Sequence, residues 1–272
     1  MSSTSRRLEG KVALITGAAR GQGRAEAVRL ASEGADIIAV DVCRTLASTH
    51  YDGATRADLD ETVRLVEAQD RRIVATEADV RDFAALSAAV VGGVAELGRL
   101  DIVVANAGIC SATMSWEITL EQWEETIGVN LTGVFHTMKA TIPVLIEQGS
   151  GGSIIITSSV AGLRGLPFLA HYAASKHGVV GLARSMANEL GQFAIRVNTI
   201  HPHGVATGMT VPGMPPLLAE YATTLAPIFM GSLPDPVSQP EDIANAVAWL
   251  ASDEARHVTG IQLPIDLGTL TR

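Results

Sequence analysis

Residues 12–24, VALITGAARGQGR, decide the fold. VALIT has no polar alternation and reads as a strand buried on both faces. Gly17, Gly21 and Gly23 follow as Gly-x-x-x-Gly-x-Gly, and residues 24–33 take up the period of a helix. Such glycines let backbone approach a pyrophosphate, whose charge then faces the N-terminus of the next helix. A tight turn needs glycine for its own backbone reasons, so it is the placement between strand and helix that favours a dinucleotide. Asp41, eighteen residues beyond Gly23, closes the second apolar run, where a carboxylate accepts hydrogen bonds from adenine-ribose hydroxyls. It would repel a 2′-phosphate, which favours NAD over NADP. Arg20, inside the glycine turn, argues the other way, but a flexible guanidinium at the rim returns less than a dianion beside a carboxylate costs.

Working outward, apolar runs at residues 12–16, 35–40, 71–78, 101–108, 153–159, 195–200 and 260–266 alternate with helical segments at 24–33, 82–97, 120–148 and 172–193. About seven strands separated by helices predict an α/β fold, a single-domain Rossmann-like doubly wound parallel sheet over residues 1–272. Thr119 with Gln122, and Ser238 with Glu241 and Pro240, fit helix-starting capping boxes. Two stretches exceed the minimal alternation. Residues 44–72 add a polar loop and an extra amphipathic helix with Leu59, Val63 and Val66 on one face. Residues 203–238 are rich in Pro, Met and Leu, too apolar for an ordinary exposed loop, and fit a substrate lid or an oligomer contact.

With 47% apolar and 18% charged residues, the 272-residue chain has material for a large core. A net charge of −9 with no basic patch argues against nucleic acid and against anionic membranes. The start, MSSTSRRLEGK, has no apolar run after its basic residues, so a cytoplasmic chain is expected. Cys43 and Cys110 have no metal-ligand spacing and read as small buried residues; no metal site is predicted.

The chemistry concentrates in HYAASKHG, where Tyr172 and Lys176 share a helix face one turn apart, with Ser159 upstream in IIITSSVAG. A free Tyr titrates near ~10, and lowering that by roughly three units needs about 4 kcal/mol, within reach of an adjacent ammonium plus an oxidised nicotinamide. Asp41, Val42 and Cys43 after the second strand, and Asp79 and Val80 after the third, frame the adenosine end. Asp79 either binds the adenine amino group or caps the helix near Asp82. Asn106, Ala107 and Gly108 either lie beside the adenosine ribose or simply make the turn after the fourth strand.

These residues resemble the short-chain dehydrogenase/reductases across nearly the whole chain. TGAARGQG, ANAG, Asn130 in GVNLTG, Ser159, Tyr172, Lys176 and HPHGVAT all stand in the family's order. The resemblance implies that Ser159 orients the substrate oxygen, Tyr172 is the acid/base, Lys176 binds nicotinamide ribose and lowers the Tyr value, and Asn130 supports a water-linked proton relay. It further implies that Pro202, Val205 and Thr207 border the nicotinamide, and that the protein is a homotetramer. Two departures stand out: Pro202 is followed by His203 where many members have glycine, and Gln22 replaces a common aliphatic residue in the turn.

More narrowly, GAARGQGR, the added segment after the second strand, ELGRLDIVVANAGICS and GIQLPIDLG are similar to the mycofactocin-coupled subgroup that includes carveol dehydrogenases. This implies an NAD held partly by residues 44–72 and reoxidised in place by an external redox carrier. The reading is hydride transfer between a secondary alcohol and its ketone. Met114, Trp116, Met209, Met214, Leu217, Leu218 and Phe229 suggest a hydrophobic, terpenoid-like substrate. An NADPH-dependent ketoreductase with exchangeable cofactor and a non-catalytic nucleotide sensor are the alternatives.

Overall fold

The computed structural model describes residues 6–271; the polar start at residues 1–5 lies outside them, as does residue 272. Seven parallel strands, β1 (Val12–Thr16), β2 (Asp36–Asp41), β3 (Ile73–Glu77), β4 (Ile102–Ala105), β5 (Gly152–Thr157), β6 (Ile195–Pro202) and β7 (Gln262–Ile265), form one sheet in the order β3-β2-β1-β4-β5-β6-β7. Alternation along each strand supplies both faces. Ala13, Ile15, Ile37, Ala39 and Ile155 enter one core, while Val12, Leu14, Ile38, Ile154 and Ile156 enter the opposite one. The central strands β1, β4 and β5 are therefore buried along nearly their whole length, as the uninterrupted runs predict, whereas β6 also buries Asn198, Thr199 and His201, and the edge strands β3 and β7 are only half-buried. The chain reverses direction of sheet growth between β1 and β4, which opens a crevice at the strands' carboxyl ends.

Helix α1 (Gly21–Ser32) starts inside the glycine turn, three residues before the sequence estimate. Helix α2 (Arg56–Glu67) buries Leu59, Thr62 and Val66. It is the crossover that joins β2 to β3, a connection that parallel neighbours require, so the helix is not an addition to the fold. Only the loop before it lengthens the connection. A Thr55–Asp58 capping box starts α2, and Asp82, not Asp79, caps α3 (Phe83–Leu97).

Helix α4 (Leu120–Ile127) begins at the predicted Thr119–Gln122 box and runs through a π turn (Gly128–Thr132) into α5 (Gly133–Gln148). Helix α6 (Ala170–Leu190) carries Tyr172 and Lys176 in its first two turns. Residues 203–238 hold α7 (Met214–Glu220) and a short 3-10 turn (Ala226–Phe229). Helix α8 (Pro240–Ala251) starts one residue later than the predicted Ser238–Glu241 box. The Gln239 N–H donates to the Asp242 carboxylate at 2.8 Å, because Ser238 is already paired through its own backbone with Gly204 and Ala206.

Glu26, on the inner side of α1, is fully buried and neither carboxyl oxygen has a partner. Burial pushes its carboxyl from 4.5 up to about 8, so it is neutral at pH 7. A proton bound more tightly in the folded chain than in the unfolded one stabilises the fold in full below about pH 4.5, and this is lost as pH rises through about 8. The stability advantage of Glu26→Gln over the parent chain should therefore widen by roughly 3 kcal/mol between about pH 5.5 and about pH 8. Urea melts of both proteins at the two pH values measure it; a pH-independent gap would mean that Glu26 ionises freely in the fold.

Candidate active site

The crevice is a cleft of about 370 Å³ that runs from the end of β2 to the segment after β6. At its floor the glycine turn is packed as closely as backbone allows. A Cβ at Gly23 would stand 2.1 Å from the Gly17 carbonyl oxygen, and one at Gly17 would stand 2.9 Å from Ala107 Cα. The Gly17 φ of +69° adds a conformation that favours glycine. Asp41 accepts from Ala19 N (2.9 Å) and Cys43 N (3.0 Å), so one carboxylate both braces the turn and lines the cleft. A carboxylate has about four lone-pair positions, which leaves two for a ligand. Asn106 donates to the Thr16 (3.0 Å) and Gly17 (3.3 Å) carbonyls and so ties β4 to the same turn.

Of the residues expected around a cofactor, all line this cleft except Gly23 and Cys43. Gly23 supports the turn from behind, and Cys43 packs against the core while its thiol is pushed up to about 12 by burial and the nearby Asp41 charge. Asp79 lines the cleft, but both its oxygens are taken by Arg81, and Arg44 adds a 2.7 Å contact. Burial raises the Asp79 carboxyl, yet the Arg81 bonds and charge, with Arg44, outweigh it and hold the group below its usual value. Its capacity to accept from an adenine amino group is thereby spent on the two guanidiniums. Arg20 is likewise engaged, donating to the Asp52 carbonyl and lying against Gly208.

The loop between β2 and α2 arches over the cleft and is fastened on three sides. Ser48 N and Oγ donate to Glu125 at 2.9 and 2.6 Å, Arg20 holds Asp52, and the Tyr51 hydroxyl accepts from Cys110 N at 3.4 Å. Tyr51 was not among the residues expected at the site; its one signal is an aromatic ring inside an otherwise polar loop. Burial, against a smaller opposing effect of the Cys110 bond, pushes its hydroxyl up to about 12.

At the far end, Lys176 donates to the Thr157 carbonyl (2.8 Å) and its ammonium sits 5.5 Å from the Tyr172 ring centroid. Burial draws the ammonium down to about 8. Burial also raises Tyr172 well above the ordinary phenol value, with Cys110 adding to the rise and the Ser159 hydroxyl opposing it. Desolvation is the largest influence on the phenol, and the Lys176 ammonium is the cation beside it.

Ser159 accepts from Ala161 N at 3.1 Å, and its carbonyl accepts from His201 Nδ1–H at 2.7 Å. Asn130 does not line the cleft. The π turn points its amide at Ile109, with Oδ1 accepting from Ile109 N (2.8 Å) and Nδ2 donating to Ile109 O (2.9 Å) and Ser175 Oγ (3.2 Å). It touches the site through Gly108, where a Cβ would be 3.4 Å from both Asn130 Oδ1 and Lys176 Nζ.

Beyond Tyr172 the cleft is mostly apolar, lined by Cys110, Val160, Leu166, Leu169, Val211, Met214 and Phe229, with the His203 imidazole beside Phe229. Met209 also lines it, whereas Met114, Trp116, Leu217 and Leu218 do not, and Trp116 is 79% exposed. Burial pushes the Cys110 thiol up to about 12, which makes it a poor nucleophile. Among the described residues, no group of three or more His, Cys, Asp or Glu side chains is placed to hold a metal ion, and no helix is long and apolar enough to cross a membrane.

Residues 11–214 match the family described as short chain dehydrogenase. The chain is 46% identical to the (−)-trans-carveol dehydrogenase of Rhodococcus erythropolis over 97% of this chain and 98% of that protein. A crystal structure of a short chain dehydrogenase from Mycobacterium paratuberculosis bound to NAD is 52% identical, with a TM-score of 0.94 over 98% of this chain and 100% of the other. Carveol dehydrogenase from Mycobacterium avium in complex with NAD is 48% identical, with a TM-score of 0.90 over 98% and 99% of the two chains. From the family match and these nearly full-length likenesses, the chain belongs to the short-chain dehydrogenase family of oxidoreductases.

Proposed function

We propose that the protein interconverts an uncharged, hydrophobic secondary alcohol and its ketone, with NAD as the cofactor. The observation that carries this reading is the continuity of one cleft from Asp41, past Lys176, Tyr172 and Ser159, into a chamber walled by Val160, Leu166, Leu169, Met214 and Phe229. The glycine turn fits a pyrophosphate because three Cβ-free positions are packed against backbone or side chain, and Asp41 retains acceptors for ribose hydroxyls. Arg20 and Arg44, the arginines that line the cleft, are spent on the Asp52 carbonyl and the Asp79 carboxylate, so neither is spare for a 2′-phosphate. NAD, when bound, supplies the nicotinamide carbon that exchanges hydride with the substrate.

The protein's own groups do the rest. Ser159 and Tyr172 hold the substrate oxygen, and Tyr172 takes or returns its proton. Lys176 binds ribose and keeps positive charge beside the phenol. Asn130 holds the Gly108–Ile109 backbone against that lysine and extends the proton path. The chamber walls fit a compact apolar body such as a terpenoid alcohol, in line with the carveol dehydrogenases that the chain resembles.

The strap formed by residues 44–55 slows cofactor release, so that NADH is reoxidised in place by an external redox carrier of the mycofactocin kind. Apolar surface left on α4 and α5 by Trp123 and Phe135 supports assembly, for which we infer a homotetramer.

Tyr172→Phe should lower kcat by roughly 10²–10⁴-fold while NADH binding, followed by fluorescence titration, persists; substantial retained turnover would remove Tyr172 from the role of base. The same titration should favour NADH over NADPH by at least roughly tenfold, and Asp41→Asn should narrow the difference. Protein purified without added cofactor and then denatured should release NAD. A cofactor-free supernatant together with fast exchange of added NAD would rule out retention by the strap.

A further inference from the structure

His203 stands where many family members have glycine. Its Nε2–H donates to the Phe229 carbonyl at 2.8 Å, across 26 positions of sequence. Glycine has no side chain to make this bond. A carbonyl oxygen only accepts, so Nε2 carries the hydrogen of this bond.

Phe229 is not an isolated lid residue. Its ring stacks on Phe168, with centroids 6.4 Å apart and planes 6° from parallel, and Phe168 packs at 5.7 Å on Tyr221. Phe168 is buried at φ +68°, and its carbonyl accepts from Thr113 N at 3.0 Å, four residues before Tyr172. On the other side of Phe229, Ser232 N and Leu233 N donate to Leu267 O at 2.7 and 3.0 Å. The returning limb of the lid is thus anchored after Phe229 by the turn that follows β7. Before Phe229, α7 has no buried residue. Val211 and Met214 of that limb are half-buried against the chamber, and His203 supplies a side-chain hydrogen bond to it at Phe229.

We propose that His203 is a specificity-determining positioning residue: by pinning the Phe229 carbonyl it fixes the Phe229–Phe168 wall at a set distance from Tyr172, and so sets the bulk of alcohol that the chamber accepts. The inference rests on residues 203–238 closing the substrate chamber, as proposed above. It does not make His203 a participant in the chemistry, since its bonded nitrogen faces backbone.

The test compares His203→Ala and His203→Gln with the parent enzyme; Gln retains an N–H donor directed at the same carbonyl. Hydrogen–deuterium exchange of the backbone amides at residues 228–233 should quicken by roughly tenfold in the Ala variant and return most of the way in the Gln variant. The kcat/KM ratio for a cyclic terpenoid alcohol over propan-2-ol should fall by roughly tenfold in the Ala variant, chiefly through KM of the bulky substrate, and recover in the Gln variant. Unchanged exchange in the Ala variant, failure of Gln to rescue, or an equal loss of kcat on both alcohols would overturn the proposal. If the parent enzyme turns over neither alcohol, the substrate reading fails, and the exchange measurement still decides whether His203 pins the lid.

Discussion

The approach of Gly23 to the Gly17 carbonyl sets the geometry on which the site depends. With no room for a Cβ, α1 lies directly against the end of β1, and Gly21 and Gln22 at its N-terminus line the crevice between β1 and β4. Asp41 then braces the turn from β2, and Asn106 braces it from β4. Three neighbouring strands therefore converge on one turn. A shift of any of them would move the cofactor floor relative to α6, where Tyr172 and Lys176 are held.

Electrostatics at the other end follow from burial. Desolvation disfavours charge on both partners of the pair, raising Tyr172 and lowering Lys176, so the protein holds a neutral phenol next to a weakly held ammonium proton. Such a site is sensitive to any further positive charge placed beside the phenol, because little water is present to screen it. Ser159 works in the same direction through its hydroxyl, and His201 keeps the Ser159 backbone in place as a neutral ring, drawn down to about 4 by burial.

Much of the fold is legible because its signals are local. The seven apolar runs, the Thr119–Gln122 box and the glycine turn are patterns of adjacent residues, and the structure forms strands, a helix start and a tight turn from them. Boundaries slip where a neighbour competes: Ser238 loses its capping role because its backbone is paired with the segment after β6. The helix after Thr55 reads as an addition only while the strand order is unknown; once β3 lies beside β2, a crossover between them is required.

The sequence by itself determined the doubly wound architecture, the glycine turn, Asp41 at the end of β2 and the one-turn spacing of Tyr172 and Lys176, since each is carried by residue type at short spacing, while Ser159 entered through the family resemblance and the structure brings it into the same cleft. Tertiary structure alone decided that Asp79 is consumed by Arg44 and Arg81, that Tyr51 reaches Cys110 over the cleft, that Asn130 sits behind Gly108, and that His203 grips Phe229. Those outcomes depend on which distant side chains meet and how much water is excluded when they do. Neither spacing nor composition encodes that until the sheet has closed the two ends of the chain around one crevice.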